Sequence, residues 1–274
     1  MGRFEWLEFS NSEETAPEIP APAAPSPGLF SLERMKTADG FFFAGLYGKA
    51  LREYSRAIDE DKYNRTAWER QNICQIALHE YNQAVVWAQK FVEFFPDDPQ
   101  ALSSLAFAKS RIPEYLGELP ALMQSVASKS CGMYSAQMLF EKAACLFALQ
   151  KNEEGQQVIS AMLEGLDTHI EQTRWMIRCA AYYLDSRVPD CACILLESLA
   201  NNNSLNSYAM SLWIKAEWLR SNVTQAQDLL RVLRKHDPLA PGTYEIEEYF
   251  SKNPPQPGHA VRSYFGQLFD KLLS

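Results

Sequence analysis

The feature that most constrains the fold is an internal repeat with a period of 34 residues. Tyr47 is matched 34 positions later by Tyr81, and Ala50 is matched in the same way by Ala84. A period of this length is typical of solenoids built from helical hairpins. One hairpin cannot bury its own apolar face, so neighbouring hairpins must stack to form a core. The sequence therefore predicts an all-α stack of hairpins.

Six repeat units fit along residues 31–239. They begin near Ser31, Arg65, Pro99, Gln137, Thr173 and Ser207, at spacings of 34, 34, 38, 36 and 34 residues. Small residues at positions 8 and 20 of a unit let its two helices approach closely, and larger residues elsewhere fill the space between neighbours. The third unit contains Pro113, Gly117 and Pro120, so we expect it to be irregular. The change of spacing after it predicts a break near residues 128–136.

This spacing resembles that of the tetratricopeptide repeat (TPR) family. The second unit carries Trp68, Tyr81, Ala84 and Pro96 at positions 4, 17, 20 and 32. The resemblance implies an α-solenoid of about six TPR-like helix hairpins with C-terminal capping helices. It also implies a scaffold or adaptor, rather than an enzyme, that binds a peptide or protein segment in the concave groove of the repeats.

Composition argues against several classes of function. The chain has 26 Lys and Arg residues against 34 Asp and Glu, a net charge of −8. Nucleic-acid binding draws much of its energy from neutralised phosphates, so an acidic chain argues against it. The sequence holds no glycine-rich phosphate loop, no H-E-x-x-H or C-x-x-C pair and no G-x-S-x-G elbow. We therefore expect no catalytic residues, no metal site and no cofactor.

Cysteine usage and apolar content bear on location. The six cysteines follow no disulfide or zinc spacing, so we expect free thiols buried at tight helix contacts. Free thiols favour a reducing compartment. The first ten residues lack the apolar core of a signal peptide. No stretch approaches the ~18 apolar residues of a membrane span. The sequence thus predicts a cytoplasmic protein without a membrane span.

The resemblance also implies which residues line the groove. In the family these are positions 2, 5, 6, 9, 12 and 13 of the first helix of each unit, and position 6 is basic here in four of six units. The predicted lining comprises Lys36, Phe43, Arg70, Ile73, Phe107, Arg111, Lys142, Arg174 and Arg178. Such a lining favours a peptide with acidic and aromatic character. Exposed ion pairs yield only ~0–1 kcal/mol each, so the apolar residues must supply most of the affinity. The alternative is that Lys and Arg occur at position 6 by chance, because it is exposed.

Residues 1–28 form an acidic, proline-rich tail. One arginine stands against five glutamates, which gives a net charge of −4. This composition predicts a disordered or extended segment. Its residues 4–9 carry the bulky anchors Phe4, Trp6, Leu7 and Phe9 between glutamates and resemble a docking motif. The tail could dock in cis, or in trans on a partner or a second copy; alternatively its tip packs on the nearest exposed helix.

Residues 240–274 close the chain. A short helix is expected near residues 244–250, then a proline-rich hinge at 254–258 and a helix with one apolar face at 261–273. These helices either cap the solenoid or present a face to a partner's groove.

Two other functions remain open at this point. One is a client-specific assembly or secretion chaperone, which shields a segment of a single partner. The other is an all-helical enzyme or a hairpin-repeat nucleic-acid binder, which the acidic charge and the missing catalytic motifs disfavour.

Overall fold

A computed structural model of the chain describes residues 29–238 and 245–253, and all regular structure in them is helical. The helices are α1 (Leu29–Phe43), α2 (Tyr47–Glu60), α3 (Arg65–Ala77), α4 (Tyr81–Phe94), α5 (Pro99–Lys109), α6 (Leu119–Ser130), α7 (Ala136–Ala148), α8 (Asn152–Glu164), α9 (His169–Asp185), α10 (Pro189–Asn201), α11 (Ser207–Leu219), α12 (Val223–His236) and α13 (Glu245–Lys252). A 3-10 helix at Pro113–Glu118 leads into α6.

Consecutive helices pack as six hairpins, from α1–α2 to α11–α12, and each hairpin packs on the next. α13 follows the last hairpin and packs on α11, where its Ile246 is fully buried. The predicted all-α solenoid of about six TPR-like hairpins is therefore confirmed.

The residues at positions 8 and 20, predicted to be small so that helices can approach closely, mostly lie inside these hairpins. Position 8 of each first helix is buried, as is position 20 in five second helices, and where alanine or glycine stands there the backbones can meet closely. With the fourth unit counted from Ala136, the position 8 residues are the alanines Ala38, Ala106, Ala143 and Ala180 and the larger Asn72 and Ile214. At position 20 they are Ala50, Ala84, Gly155, Ala192 and Ala226.

Position 15 ends the first helix of five hairpins in a left-handed conformation. The residues there are Gly45, His79, Gln150, Arg187 and Ser221, with φ between 60° and 75°. This geometry closes the helix: in the second hairpin, for example, the amide of Glu80 donates to the carbonyl of Gln75 at 2.9 Å. The third hairpin has Pro113 at position 15 and turns through the 3-10 helix instead. Its predicted irregularity has this physical cause.

The fourth repeat begins one residue earlier than its sequence suggests. Ser135 caps α7, accepting a hydrogen bond from the amide of Met138 at 3.1 Å, so Ala136 is the first helical residue. The left-handed Gln150 fits the same register. Position 6 is then Glu141, and Lys142 moves to position 7. The connection before α7 contains two left-handed residues, Cys131 and Gly132, and α7 packs chiefly on α8 within its hairpin and on α5 of the preceding one.

The solenoid curls so tightly that distant hairpins touch. Tyr47, just after the first turn, meets Tyr208 of α11, with 3.1 Å between their hydroxyl oxygens. Arg111, after α5, forms an ion pair with Asp185 at the end of α9. These two contacts bring the first hairpin to the sixth and the third to the fifth.

The remaining predictions concern the cysteines, membrane spans and the two chain ends. Five cysteines are buried and free as expected, whereas Cys131 is free and exposed. None of the helices in the described ranges is long and apolar enough to cross a membrane. The tail predictions for residues 1–28, including Phe4, Trp6, Leu7 and Phe9, and the helix predicted at residues 261–273 lie outside the described residues.

Candidate functional site

The candidate site is built on the first turns of α9, the longest described helix. Thr168 caps it by accepting from the amide of Glu171 at 3.2 Å, and its hydroxyl donates to the Glu171 carboxylate at 3.1 Å. This capping arrangement starts α9 one turn before position 1 of the fifth repeat, Thr173. The extra turn brings His169 and Ile170 onto the concave side.

Three arginines converge on two phenylalanine rings at the end of α1. The guanidinium carbons of Arg70 and Arg178 lie 4.9 Å and 5.5 Å from the centroid of the Phe42 ring. Those of Arg70 and Arg174 lie 5.6 Å and 4.4 Å from that of Phe43. Cation–π contacts at these distances contribute roughly 0.5–2 kcal/mol each, the larger values where water is excluded. Helices α1, α3 and α9 thus meet across the interior.

Within the part of the chain that the structure describes, these three cations have no acidic partner. Among the described residues none forms an ion pair with a carboxylate, although the chain has ion pairs elsewhere. Arg70 Nε and Arg178 Nη2 are buried without a hydrogen-bond acceptor. Burial, and then the neighbouring charge of Arg70, lower the pKa of Arg178 to about 10. An anion placed beside these guanidinium groups would supply the carboxylate-like partner that the described residues do not.

The charges of two of these arginines also act on the carboxyl group of Glu69. Burial raises the pKa of Glu69, and the positive charges of Arg70 and Arg178 oppose that rise. The Glu69 carboxyl group therefore offsets part of the positive charge of Arg70 and Arg178.

Beside the arginines lies an open space, which we call the Arg174 cleft. Its volume is about 350 Å³, at the small end of the range for ligand pockets. It is lined by Phe42, Phe43, Tyr47, His169, Ile170, Thr173, Arg174, Ile177, Arg178, Ser204, Asn206 and Tyr208. Arg174 is exposed, and the Ile170 side chain at the mouth is 65 % exposed. The cleft has room for one or two side chains of a ligand, not for a long peptide.

The structure brings together only some of the predicted groove residues. Phe43, Arg70, Arg174 and Arg178 surround or adjoin the Arg174 cleft. Ile73 and Phe107 are buried in the core, and Lys36 is exposed on α1. Arg111 lies in a separate group, over the rings of Tyr81 and Tyr182 at 5.4 Å and 5.3 Å.

Lys142 lies on another face of the solenoid. It borders an apolar groove between α6, α7 and α8, and its amine is 5.2 Å from the centroid of the Tyr134 ring. The physical reason is the one-residue shift of register in α7: neighbours on a helix differ by 100° in direction. Glu141 points inward in its place.

Glu141 is the centre of a buried polar network deeper in the concave side. Its carboxylate accepts hydrogen bonds from Gln137 Nε2 at 2.7 Å, Gln100 Nε2 at 2.9 Å and Ser104 Oγ at 3.1 Å. Burial, reinforced by the charge of Glu69, raises its pKa to about 7. The network links α5 to α7.

The sequence does not predict that Tyr47, Ile170 and Tyr208 line the Arg174 cleft. The Thr168–Glu171 capping pair is a sequence signal that would have extended α9 and found Ile170. The described residues hold no cluster of three or more His, Cys, Asp and Glu side chains that could bind a metal ion.

The chain is an α-solenoid of TPR-like hairpins, as its own period, register and packing show. No family model and no curated protein matches its sequence. Its structure is similar to the crystal structure of a thermophilic TPR protein from Thermus thermophilus. The TM-score is 0.49 at 15% identity, over 68% of this chain and 98% of that one.

Proposed function

We propose that the protein is a non-catalytic interaction scaffold that binds an acidic and aromatic segment of a protein partner at the Arg174 cleft. The observation that carries the proposal is the group of Arg70, Arg174 and Arg178, which have no acidic partner among the described residues and lie close to the exposed Ile170. A solenoid is suited to such a role because its stacked helices hold side chains from distant repeats in fixed positions.

The cleft suggests how the ligand is divided between two kinds of contact. An aromatic side chain would lie against Phe43 and Ile170, where apolar burial contributes about 25 cal/mol per Å². A neighbouring carboxylate would accept from Arg174 at the rim and lie beside the positive charge of the Arg178 guanidinium group, which also lines the cleft. Because charged hydrogen bonds are directional, the arginines would determine the register in which the partner segment binds.

Selection from a random peptide library tests this proposal. We expect peptides enriched on the full chain to place Asp or Glu within a few residues of Trp, Phe or Tyr. A fluorescein-labelled peptide from that selection should bind Arg174→Glu at least tenfold more weakly, a loss of about 1.4 kcal/mol.

Lys142→Glu is the matched control, since it makes the same charge change on another face of the solenoid. It should bind the labelled peptide as the unchanged protein does. Circular dichroism should show that both variants remain helical. Enriched peptides without acidic residues, or equal affinity for Arg174→Glu and Lys142→Glu, would contradict the proposal.

A further inference from the structure

The Arg174 cleft has a candidate ligand within the same chain. We infer that residues 4–9 of the N-terminal tail occupy the cleft in cis and compete there with a partner. This inference rests on the proposed function, because it assigns an internal competitor to the same site. It depends on charge, on side-chain type and on reach.

Charge complementarity is the first argument. The tail carries one arginine against five glutamates, and Glu5 and Glu8 flank its aromatic anchors. The cleft is lined by Arg174 at its rim and by Arg178, and the described residues give neither of them an acidic partner. The other terminal segment, residues 254–274, has two basic residues against one acidic residue. It therefore lacks the charge that the arginines require.

Side-chain type is the second argument. Residues 4–9 alternate bulky and acidic side chains, with Trp6 and Leu7 between Glu5 and Glu8. A cleft of about 350 Å³ takes one or two such anchors, and its aromatic wall and Ile170 are apolar. A short segment with one aromatic anchor and an adjacent carboxylate matches this space better than a long apolar helix does.

Reach is the third argument. The described chain begins at Leu29, at the start of α1, whereas Phe42 and Phe43 of the cleft lie at the end of the same helix. A helix of 15 residues is about 22 Å long. The 19 residues from 10 to 28 can span up to about 60 Å when extended. Residues 4–9 can therefore return along α1 and enter the cleft of their own molecule.

Attachment makes the cis arrangement favourable. A short tether gives its end an effective concentration of order 1 mM at a site that it can reach. If the segment binds with an affinity of order 0.1 mM, it would occupy the cleft about 90% of the time. A partner would then have to displace it, and its apparent affinity would be about tenfold lower.

Photo-crosslinking in the full chain tests the inference. A benzoyl-phenylalanine replaces Ile170 at the mouth of the cleft, and the same replacement of Val86 on α4, 44 % exposed, is the control. We expect mass spectrometry to find residues 1–12 cross-linked to position 170 and not to position 86. In a mixture of isotope-labelled and unlabelled protein, both peptides of each cross-linked pair should be labelled or both unlabelled, because both come from the same molecule.

Mixed-isotope cross-links would show docking on a second copy and would overturn the cis inference. Cross-links from position 170 to residues 254–274, or to neither terminal segment, would overturn it as well. A second measurement is independent of the photoprobe. Glu5→Arg with Glu8→Arg should raise the affinity for the selected fluorescein-labelled peptide about tenfold, whereas Glu13→Arg with Glu14→Arg should change it less than twofold.

Failure of this inference and failure of the proposed function give different results. If the peptide binds the unchanged chain and all tail variants equally, the cleft binds a partner but has no internal competitor. If no selected peptide depends on Arg174, the proposed function fails, whatever the cross-links show.

Discussion

At position 15 of the repeat, backbone conformation matters more than side-chain identity. Five hairpins place a left-handed residue there, yet only Gly45 is a glycine. A side chain in this conformation costs roughly 1–2 kcal/mol, and the cost is offset by the helix-closing hydrogen bonds that the conformation permits. A repeat can therefore lose its glycine without losing its turn. Because position 15 of the fourth unit is Gln150 and not a glycine, the sequence does not reveal the register of that unit.

Gln150→Gly should stabilise the protein. Gln150 has φ 61° and is exposed, so glycine removes strain and leaves no cavity. Glycine also loses more backbone entropy on folding, so the net gain in the free energy of unfolding should be roughly 0.5–1 kcal/mol. Urea denaturation followed by circular dichroism measures it.

The matched control is Gln157→Gly, which makes the same substitution at an exposed site inside α8. There the free energy of unfolding should fall by about 1 kcal/mol, because glycine is a poor helix former. Equal effects of the two substitutions would contradict the explanation of position 15.

Most of the helices and their pairing could be predicted at the scale of the element. The signals that predict a helix are local: the period, the small residues and the capping residues. Asn64 and Asp98, for example, cap α3 and α5. Sequence alone places the fourth unit one residue too late, because consecutive small residues, Ala143 and Ala144, both fit position 8. That single step exchanges Lys142 for Glu141 on the concave side.

Glu141 should make stability depend on pH. Its pKa is about 7 in the folded protein and about 4.3 when unfolded. The folded state thus binds the proton more tightly, and stability falls as pH rises from about 4.5 to about 7, by an amount of order 3 kcal/mol. Thermal or urea unfolding between pH 5 and pH 8 should show this fall.

Glu141→Gln should remove most of that fall. Glutamine is neutral throughout, and Gln137 can turn its amide to offer the oxygen that now has no partner. Glu69, whose pKa is also raised by burial, contributes to the pH dependence of both proteins. The difference between the two curves therefore measures Glu141 together with its coupling to Glu69, and parallel curves would show that Glu141 stays ionised in the folded state.

The closure of the solenoid belongs to the scale of the whole molecule. The sequence could place Phe43, Arg70 and Arg178 on the concave side, because position in the repeat determines which way a side chain points from its helix. It could not show that these residues meet across the interior. Curvature is the sum of small rotations between hairpins, and these depend on side-chain packing at every interface.

The connection between α1 and α2 can approach α11 closely only because residue 45 is a glycine. Its φ is 75°, and a Cβ there would lie 2.5 Å from Cε2 of Tyr208, a distance at which the ring must move. Gly132 is the matched comparison, since its φ is 82° and a Cβ there would meet nothing within 4 Å. Alanine at either site brings backbone strain, but only Gly45→Ala also disturbs the closure.

Gly132→Ala should lower the free energy of unfolding by about 1–2 kcal/mol through strain alone. Gly45→Ala should lower it by at least about 1 kcal/mol more, because displacing Tyr208 breaks its contact with Tyr47. In a Tyr208→Ala background the obstructing ring is gone, so Gly45→Ala should then cost no more than Gly132→Ala. Such coupling is expected between residues in contact. Additive effects of Gly45→Ala and Tyr208→Ala would mean that the first and last hairpins do not meet in solution.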